Sequence, residues 1–172
     1  ASRGLGDVYK RHDENLVSVL DGGLKKWKLE NRPLSNKNVN FVETNYKAFI
    51  KDNLIINLDQ VEKNIVNKEF CLVDARGEKR FKGLVEEPRK NLRKGNVRGS
   101  KNLPFSKIIN PKDNTFKKKV ELENIFLNHE IKLNEKLAFS CGSGITACVL
   151  GLASAVINNK PPVIYDGSWA EY

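Results

Sequence analysis

Residues 137–153 read LAFSCGSGITACVLGLA. A short uncharged run ends at Ser140, a cysteine follows at once, then Gly142-Ser143-Gly144, then a longer apolar stretch. The first run is too short for a helix and reads as a strand buried on both faces. The second, residues 146–157, carries no charge and reads as a buried helix. Together they form a strand–loop–helix unit with Cys141 at the C-terminal end of the strand, the edge at which parallel α/β sheets bind ligands. Two glycines let the backbone curl so that several N–H groups converge. The helix N-terminus adds partial positive charge at the same place. Such a cradle suits a charged, nucleophilic sulfur and an anion bound to it.

Working outward, strand and helix signals alternate. Residues 55–56 are a short apolar element before a helical stretch at 58–65, LDQVEKNI. Residues 70–73, FCLV, form a second doubly buried strand, 101–103 a weak one, and 163–165 the last. A helix is expected over 120–126, with Val120, Leu122, Ile125 and Phe126 on one side. Alternation of this kind predicts an α/β fold, a parallel sheet flanked by helices. Between the second and third strands, residues 77–99 are rich in Arg, Lys, Glu and Gly and are expected to form a long structureless loop, a kind that is usually functional or disordered.

The chain also resembles itself. LVSVLDGGLKKW at 16–27 and PVIYDGSWAEY at 162–172 each give a short apolar, β-rich run that reads as a strand, an Asp-Gly, and a helix start that ends on an aromatic, aligned on Asp21 and Asp166. This pattern predicts a duplicated domain: residues 1–35 as the tail of a first repeat, 36–45 as linker, and 46–172 as a second, catalytic domain. The Asn- and Pro-containing stretch 31–40 has linker composition.

Composition narrows the classes. With 40% hydrophobic residues among 172 the chain can bury a core, and no apolar run approaches the ~20 residues of a membrane span. The net charge of +9 is spread over scattered lysines. The one cluster, Lys117-Lys118-Lys119, has no interleaved aromatics, so neither nucleic acid nor a membrane surface is expected as a partner. Three cysteines without a CxxC pair and two histidines argue against a zinc site and fit a reducing compartment: the cytoplasm, or the mitochondrial matrix in a eukaryote. Cys71 and Cys148, inside apolar elements, read as core.

The loop leaves several chemistries open. A nucleotide-binding P-loop is excluded because no lysine follows the glycines. A cysteine phosphatase needs an arginine where Ala147 stands. A buried structural cysteine beside a turn remains open on local physics alone.

Cys141-Gly-Ser-Gly-Ile-Thr-Ala resembles the active-site loop of the 3-mercaptopyruvate branch of the rhodanese-type sulfurtransferases, whose thiosulfate-specific members carry basic residues there. CLVDARGEKRFKGLVEEPR (71–89), GNVRGSKNLPF (95–105) and the two Asp-Gly signatures resemble further motifs of that family in the same order. The resemblance implies a rhodanese-like sheet and transfer of a sulfane sulfur from 3-mercaptopyruvate through a persulfide on Cys141, without metal or organic cofactor. It implies proton transfer by Ser143 and donor stabilisation by the N–H groups of Gly142, Ser143, Gly144, Ile145 and Thr146. Arg80 and Arg89 would bind the donor's carboxylate and carbonyl, with Asp74 and Arg76 organising the site. The implied partners are a small anionic sulfur donor and a thiol acceptor, either a small thiol or a reduced thioredoxin-like protein. Thiosulfate as donor, and a non-catalytic sulfur-carrier module, are the alternatives. Arg98 departs from the family's proline and is expected either to alter its loop or to add a basic group near the site.

Overall fold

Each short apolar run supplies one strand, and the strands lie side by side in a single parallel sheet. The computed structural model describes residues 17–38, 40, 42, 43, 45, 47 and 51–172. In chain order the strands are β1 (Ile55–Ile56), β2 (Cys71–Asp74), β3 (Lys101–Asn102), β4 (Leu137–Ser140) and β5 (Val163–Tyr165). Their spatial order is β1-β5-β4-β2-β3, every pairing parallel. The helices are α1 (Gly23–Leu29), α2 (Leu58–Asn67), α3 (Glu78–Phe81), α4 (Lys119–Asn128), α5 (Ile145–Asn158) and α6 (Ser168–Glu171).

The runs are apolar at consecutive positions because both faces of the sheet are covered, and strand side chains alternate between faces. Leu72, Ala138 and Tyr165 point to one side, where they meet Val61 of α2 and Trp169 of α6. Val73, Phe139 and Ile164 point to the other, against Leu122 and Phe126 of α4 and Leu150 of α5. Helix α2 begins at a reciprocal cap: the Asn57 side chain accepts the Gln60 N–H at 3.0 Å and the Gln60 side chain accepts the Asn57 N–H at 2.9 Å.

Three expectations are corrected. Val120 is 67% exposed, whereas Leu122 and Phe126 are fully buried. At ~100° per residue Val120 falls opposite the stripe formed by Leu122, Ile125 and Phe126, so helical geometry places it in water. The 77–99 segment is not structureless, since it opens with α3, one helical turn that carries Arg80. The first Asp-Gly signature is preceded by no strand: residues 17–20 are irregular, with Val19 and Leu20 exposed at 44% and 59%. Their counterparts Ile164 and Tyr165 are buried in β5 at 3% and 0%. A strand needs neighbours for its backbone groups, and residues 17–20 pair with no strand among the described residues. Leu16, the start of that repeat, and residues 1–15 lie outside the described residues.

The segment after residue 20 packs on residues 109–116. Asp21 Oδ1 accepts the Phe116 N–H at 2.9 Å, and Lys25 Nζ donates to the Pro111 carbonyl at 2.7 Å. Both contacts fall on the turn closed by the antiparallel bridge between Ile109 and Phe116.

Candidate active site

The last residues of β2 and β4, Asp74 and Ser140, are register partners. The chains leaving them therefore run side by side, and the Ala75 N–H donates to the Ser140 carbonyl at 2.8 Å. That brings Arg76 and Cys141 to one edge of the sheet, its C-terminal edge. Cys141 is 2% exposed. The Ser143 N–H points back at its sulfur, 3.4 Å from Sγ. The first turn of α5 leaves the N–H groups of Ile145 and Thr146 without an intrahelical acceptor.

The loop is held from below by the second Asp-Gly signature. Gly144 has φ +84°, a conformation open to glycine, and a Cβ there would stand 2.9 Å from the Asp166 carbonyl oxygen. The Trp169 and Ala170 N–H groups donate to the carbonyls of Cys141 and Gly142 at 3.0 and 3.1 Å. The Cys141 N–H donates to Ser168 Oγ at 3.1 Å, and that hydroxyl donates to the Tyr165 carbonyl at 2.9 Å. The Cys141 N–H is thus committed to the scaffold, and the donors left for a group on sulfur come from residues after it.

A buried charge network forms the opposite wall. The Arg76 side chain is fully enclosed; its Nε donates to both Asp74 oxygens at 2.9 and 3.1 Å, its Nη2 to Asp74 at 2.7 Å and to the Gly95 carbonyl at 2.8 Å, its Nη1 to Glu87 at 2.9 Å. Its guanidinium lies 4.7 Å from the centre of the Trp169 ring. Glu87 also takes Arg80, through Nε at 3.2 Å and Nη2 at 2.5 Å. Burial pushes the Glu87 carboxyl up, but the Arg80 hydrogen bond and the charges of Arg80 and Arg76 outweigh it and hold the group below its ordinary value. The same pair raises Arg80: the hydrogen bond to Glu87 outweighs burial, and the charges of Glu87, Asp74 and Cys141 add to it. Arg80 Nη2 lies 2.8 Å from where a Cβ on Gly142 would stand, so the guanidinium rests directly on the cysteine loop.

Of the residues singled out in the sequence, Cys141, Gly142, Ser143, Gly144, Asp74, Arg76 and Arg80 converge here. Ile145 and Thr146 begin α5 half-buried at the same edge. Arg89 is exposed and makes no hydrogen bond or ion pair with the described residues. Arg98 lines a depression with Lys68, Cys71 and Lys101, at the edge where β2 and β3 begin, so it adds no charge beside Cys141. Cys148 is buried, its thiol donating to the Gly144 carbonyl at 3.2 Å. Cys71 is half-buried, and burial raises its thiol, partly offset by Lys101. Sequence reasoning missed Glu87, Ser168 and Trp169. The signature containing Ser168 and Trp169 was visible as a repeat but not as the support of the loop, and a glutamate among many charges carries no mark of burial.

No family model matches the chain. It is 32% identical over 166 residues to 3-mercaptopyruvate sulfurtransferase of Homo sapiens, covering 96% of this chain and 55% of that protein. It is 34% identical over 166 residues to thiosulfate sulfurtransferase of Rattus norvegicus, covering 96% and 56%. Among solved structures, SseA of Escherichia coli, described as a 3-mercaptopyruvate sulfotransferase with a rhodanese fold, superposes with a TM-score of 0.76 at 29% identity, covering 89% of this chain and 56% of that one. The chain thus spans about half the length of the curated relatives it matches. With the parallel sheet, the cysteine at the end of its central strand and similarity along nearly its whole length, the chain is similar to the rhodanese-type sulfurtransferases over about half of their length.

Proposed function

We propose that the protein transfers a sulfane sulfur from 3-mercaptopyruvate to a thiol, carried on Cys141. The observation that carries this reading is the arrangement around one sulfur: the Ser143 N–H directed at Cys141 Sγ and the Arg80 guanidinium resting on Gly142. The Cys141 thiolate attacks the donor sulfur; a sulfur–sulfur bond forms and the donor's carbon–sulfur bond breaks. The electron pair goes to carbon as the enolate of pyruvate, which takes up a proton. The acceptor thiolate then attacks the outer sulfur and releases Cys141. This is covalent catalysis in two displacements, with N–H donors of the loop stabilising the charged sulfur. Ser143 is assigned the proton transfer, and Arg80 and Arg89 the donor's carboxylate and carbonyl. Asp74 and Arg76 hold the wall in which Arg80 sits. The acceptor is a small thiol or a reduced thioredoxin-like protein.

Thiosulfate is the second donor to consider, because relatives of equal similarity carry that activity in their names. The uncharged Gly-Ser-Gly loop favours the carboxylated donor. We further propose that residues 1–35 end a first repeat, 36–45 link it, and 46–172 form the catalytic domain. Gly23 and Ser168, matched after Asp21 and Asp166, share a φ of +53°, which supports the duplication. Among the described residues no helix is long and apolar enough to cross a membrane; a reducing compartment, cytoplasmic or mitochondrial, is proposed from the free thiols.

Intact-mass measurement after mixing with 3-mercaptopyruvate, and separately with thiosulfate, tests the reading against a Cys141→Ser control. A cyanide-reversible gain of one sulfur from mercaptopyruvate, absent in the control, is expected. A gain from thiosulfate alone would replace the donor, and no gain from either would leave the carrier module charged by a protein partner.

A further inference from the structure

We infer that Glu87 is a positioning residue for carboxylate recognition: it turns Arg80 so that the free edge of the guanidinium faces the Cys141 loop. The inference rests on the reading of Cys141 as the nucleophile and Arg80 as a donor-binding group.

A guanidinium presents its N–H groups along distinct edges, and each edge can meet one carboxylate in parallel hydrogen bonds. Glu87 occupies the side edge of Arg80, taking Nε and Nη2. That leaves Nη1 and the outer N–H of Nη2, the edge suited to one further carboxylate, and Nη2 is the atom that rests on Gly142. Glu87 can fix this orientation because it is itself fixed. Its side chain is 1% exposed and its Oε1 also accepts Arg76 Nη1, whose guanidinium is locked by Asp74, the Gly95 carbonyl and the Trp169 ring. Arg80, by contrast, is 30% exposed on a flexible stem; without Glu87 nothing else recorded among the described residues would set its plane. The four charges, Asp74, Arg76, Glu87 and Arg80, sum to zero, so the wall draws an anion by the direction of Arg80 rather than by excess charge. The ligand class is a small sulfur donor bearing a carboxylate.

The test needs no turnover. Cys141 is alkylated with iodoacetate, which bears a carboxylate, or with neutral iodoacetamide of the same size. In either case Sγ forms a carbon–sulfur bond and iodide leaves. The ratio of the two rates, read by mass spectrometry and referred to the same ratio for free glutathione, cancels the reactivity of the sulfur. The wild-type ratio is expected to favour iodoacetate. Glu87→Gln adds one unit of positive charge and would raise the ratio if only charge mattered; positioning predicts that it falls, by roughly threefold to fivefold for an ion pair at a partly exposed guanidinium. Glu87→Asp keeps the charge but withdraws the carboxylate, and should fall as well. Arg80→Lys, on a partly exposed side chain, keeps charge without the planar fork and must also lower the ratio. In its background Glu87→Gln should change little. Melting curves establish that each variant is folded. A ratio that holds or rises in the Glu87 variants, or holds in Arg80→Lys, overturns the inference and leaves Cys141 as nucleophile standing. Failure of both reagents to label Cys141 in the folded wild type overturns the functional reading, and the inference with it.

Discussion

The backbone N–H of Cys141 donates to the hydroxyl of Ser168, 3.1 Å away and twenty-seven positions on. Ser168 is fully buried and has φ +53°, a region that disfavours side chains. A serine at a position suited to glycine is explained by its hydroxyl, which joins the start of the cysteine loop to the end of β5. Ser168→Ala keeps the strain and leaves two backbone groups unpartnered, and should cost about 2 kcal/mol. Ser168→Gly loses the same bonds but relieves roughly 1 kcal/mol of strain. Urea unfolding should therefore rank Ala below Gly and Gly below wild type; a glycine variant more stable than wild type, with alanine equal to it, would show that the hydroxyl carries little.

The two loop glycines should respond differently to alanine. At Gly144 the new Cβ meets the Asp166 carbonyl in a left-handed conformation, and neither obstacle is mobile. A loss of at least about 2 kcal/mol is expected. At Gly142 the obstacle is the tip of Arg80, the far end of a flexible side chain. Gly142→Ala should stay within about 1 kcal/mol of wild type while raising the KM for mercaptopyruvate. Melting temperatures beside donor titrations would separate the two cases.

Arg76 is a structural cation. Its guanidinium satisfies Asp74, Glu87 and the Gly95 carbonyl inside the wall, so Arg76→Ala leaves two carboxylates buried without it. Breaking such a pair costs roughly 3–5 kcal/mol. Arg76→Lys should recover little of the loss, because an ammonium cannot match the fork. Equal stability of Arg76→Lys and wild type in urea would contradict this account.

Glu87 also sets an acid limit. Arg80 and Arg76 hold its carboxyl below the ordinary value of 4.5 despite burial. In acid the unfolded chain therefore binds the proton first. The contribution of the pair is complete above that ordinary value and is lost as pH falls below it, through the lower value of the folded state. Glu87→Gln removes the titrating group, so the stability difference between wild type and variant should shrink as pH drops below 4.5. Unfolding midpoints collected across the acid range would show it, and a constant difference would mean that the carboxylate is not coupled to its guanidiniums.

Much of the fold was legible because burial on both faces leaves a local trace. A strand such as 137–140 has apolar side chains on both sides of the sheet, and its uncharged run says so directly. The glycines around Ser143 likewise marked the loop, since a backbone that must curl toward a sulfur tolerates few other residues. Helix α3 was missed because one turn of EKRF has no apolar stripe to read. Val120 was misplaced because hydrophobicity alone does not say on which side of a helix a residue falls. The irregular stretch before Asp21 was read as a strand because its apolar alternation is real, but a strand also requires partners.

By itself the sequence determined the alternation of strand and helix, the position of Cys141 where a strand gives way to a glycine loop, and the candidacy of Arg80. The first two rest on patterns a few residues long, set by local backbone geometry and by period; the third rests on the resemblance of residues 71–89 to a motif of the family. Only the tertiary structure decided that Glu87 is the buried carboxylate between Arg76 and Arg80, that Ser168 and Trp169 support the cysteine loop, and that Arg89 and Arg98 stay outside the charge network. The reason is physical: a charged side chain looks the same in sequence whether water or a guanidinium solvates it, and parallel strands bring together residues whose separation along the chain bears no relation to their distance in space.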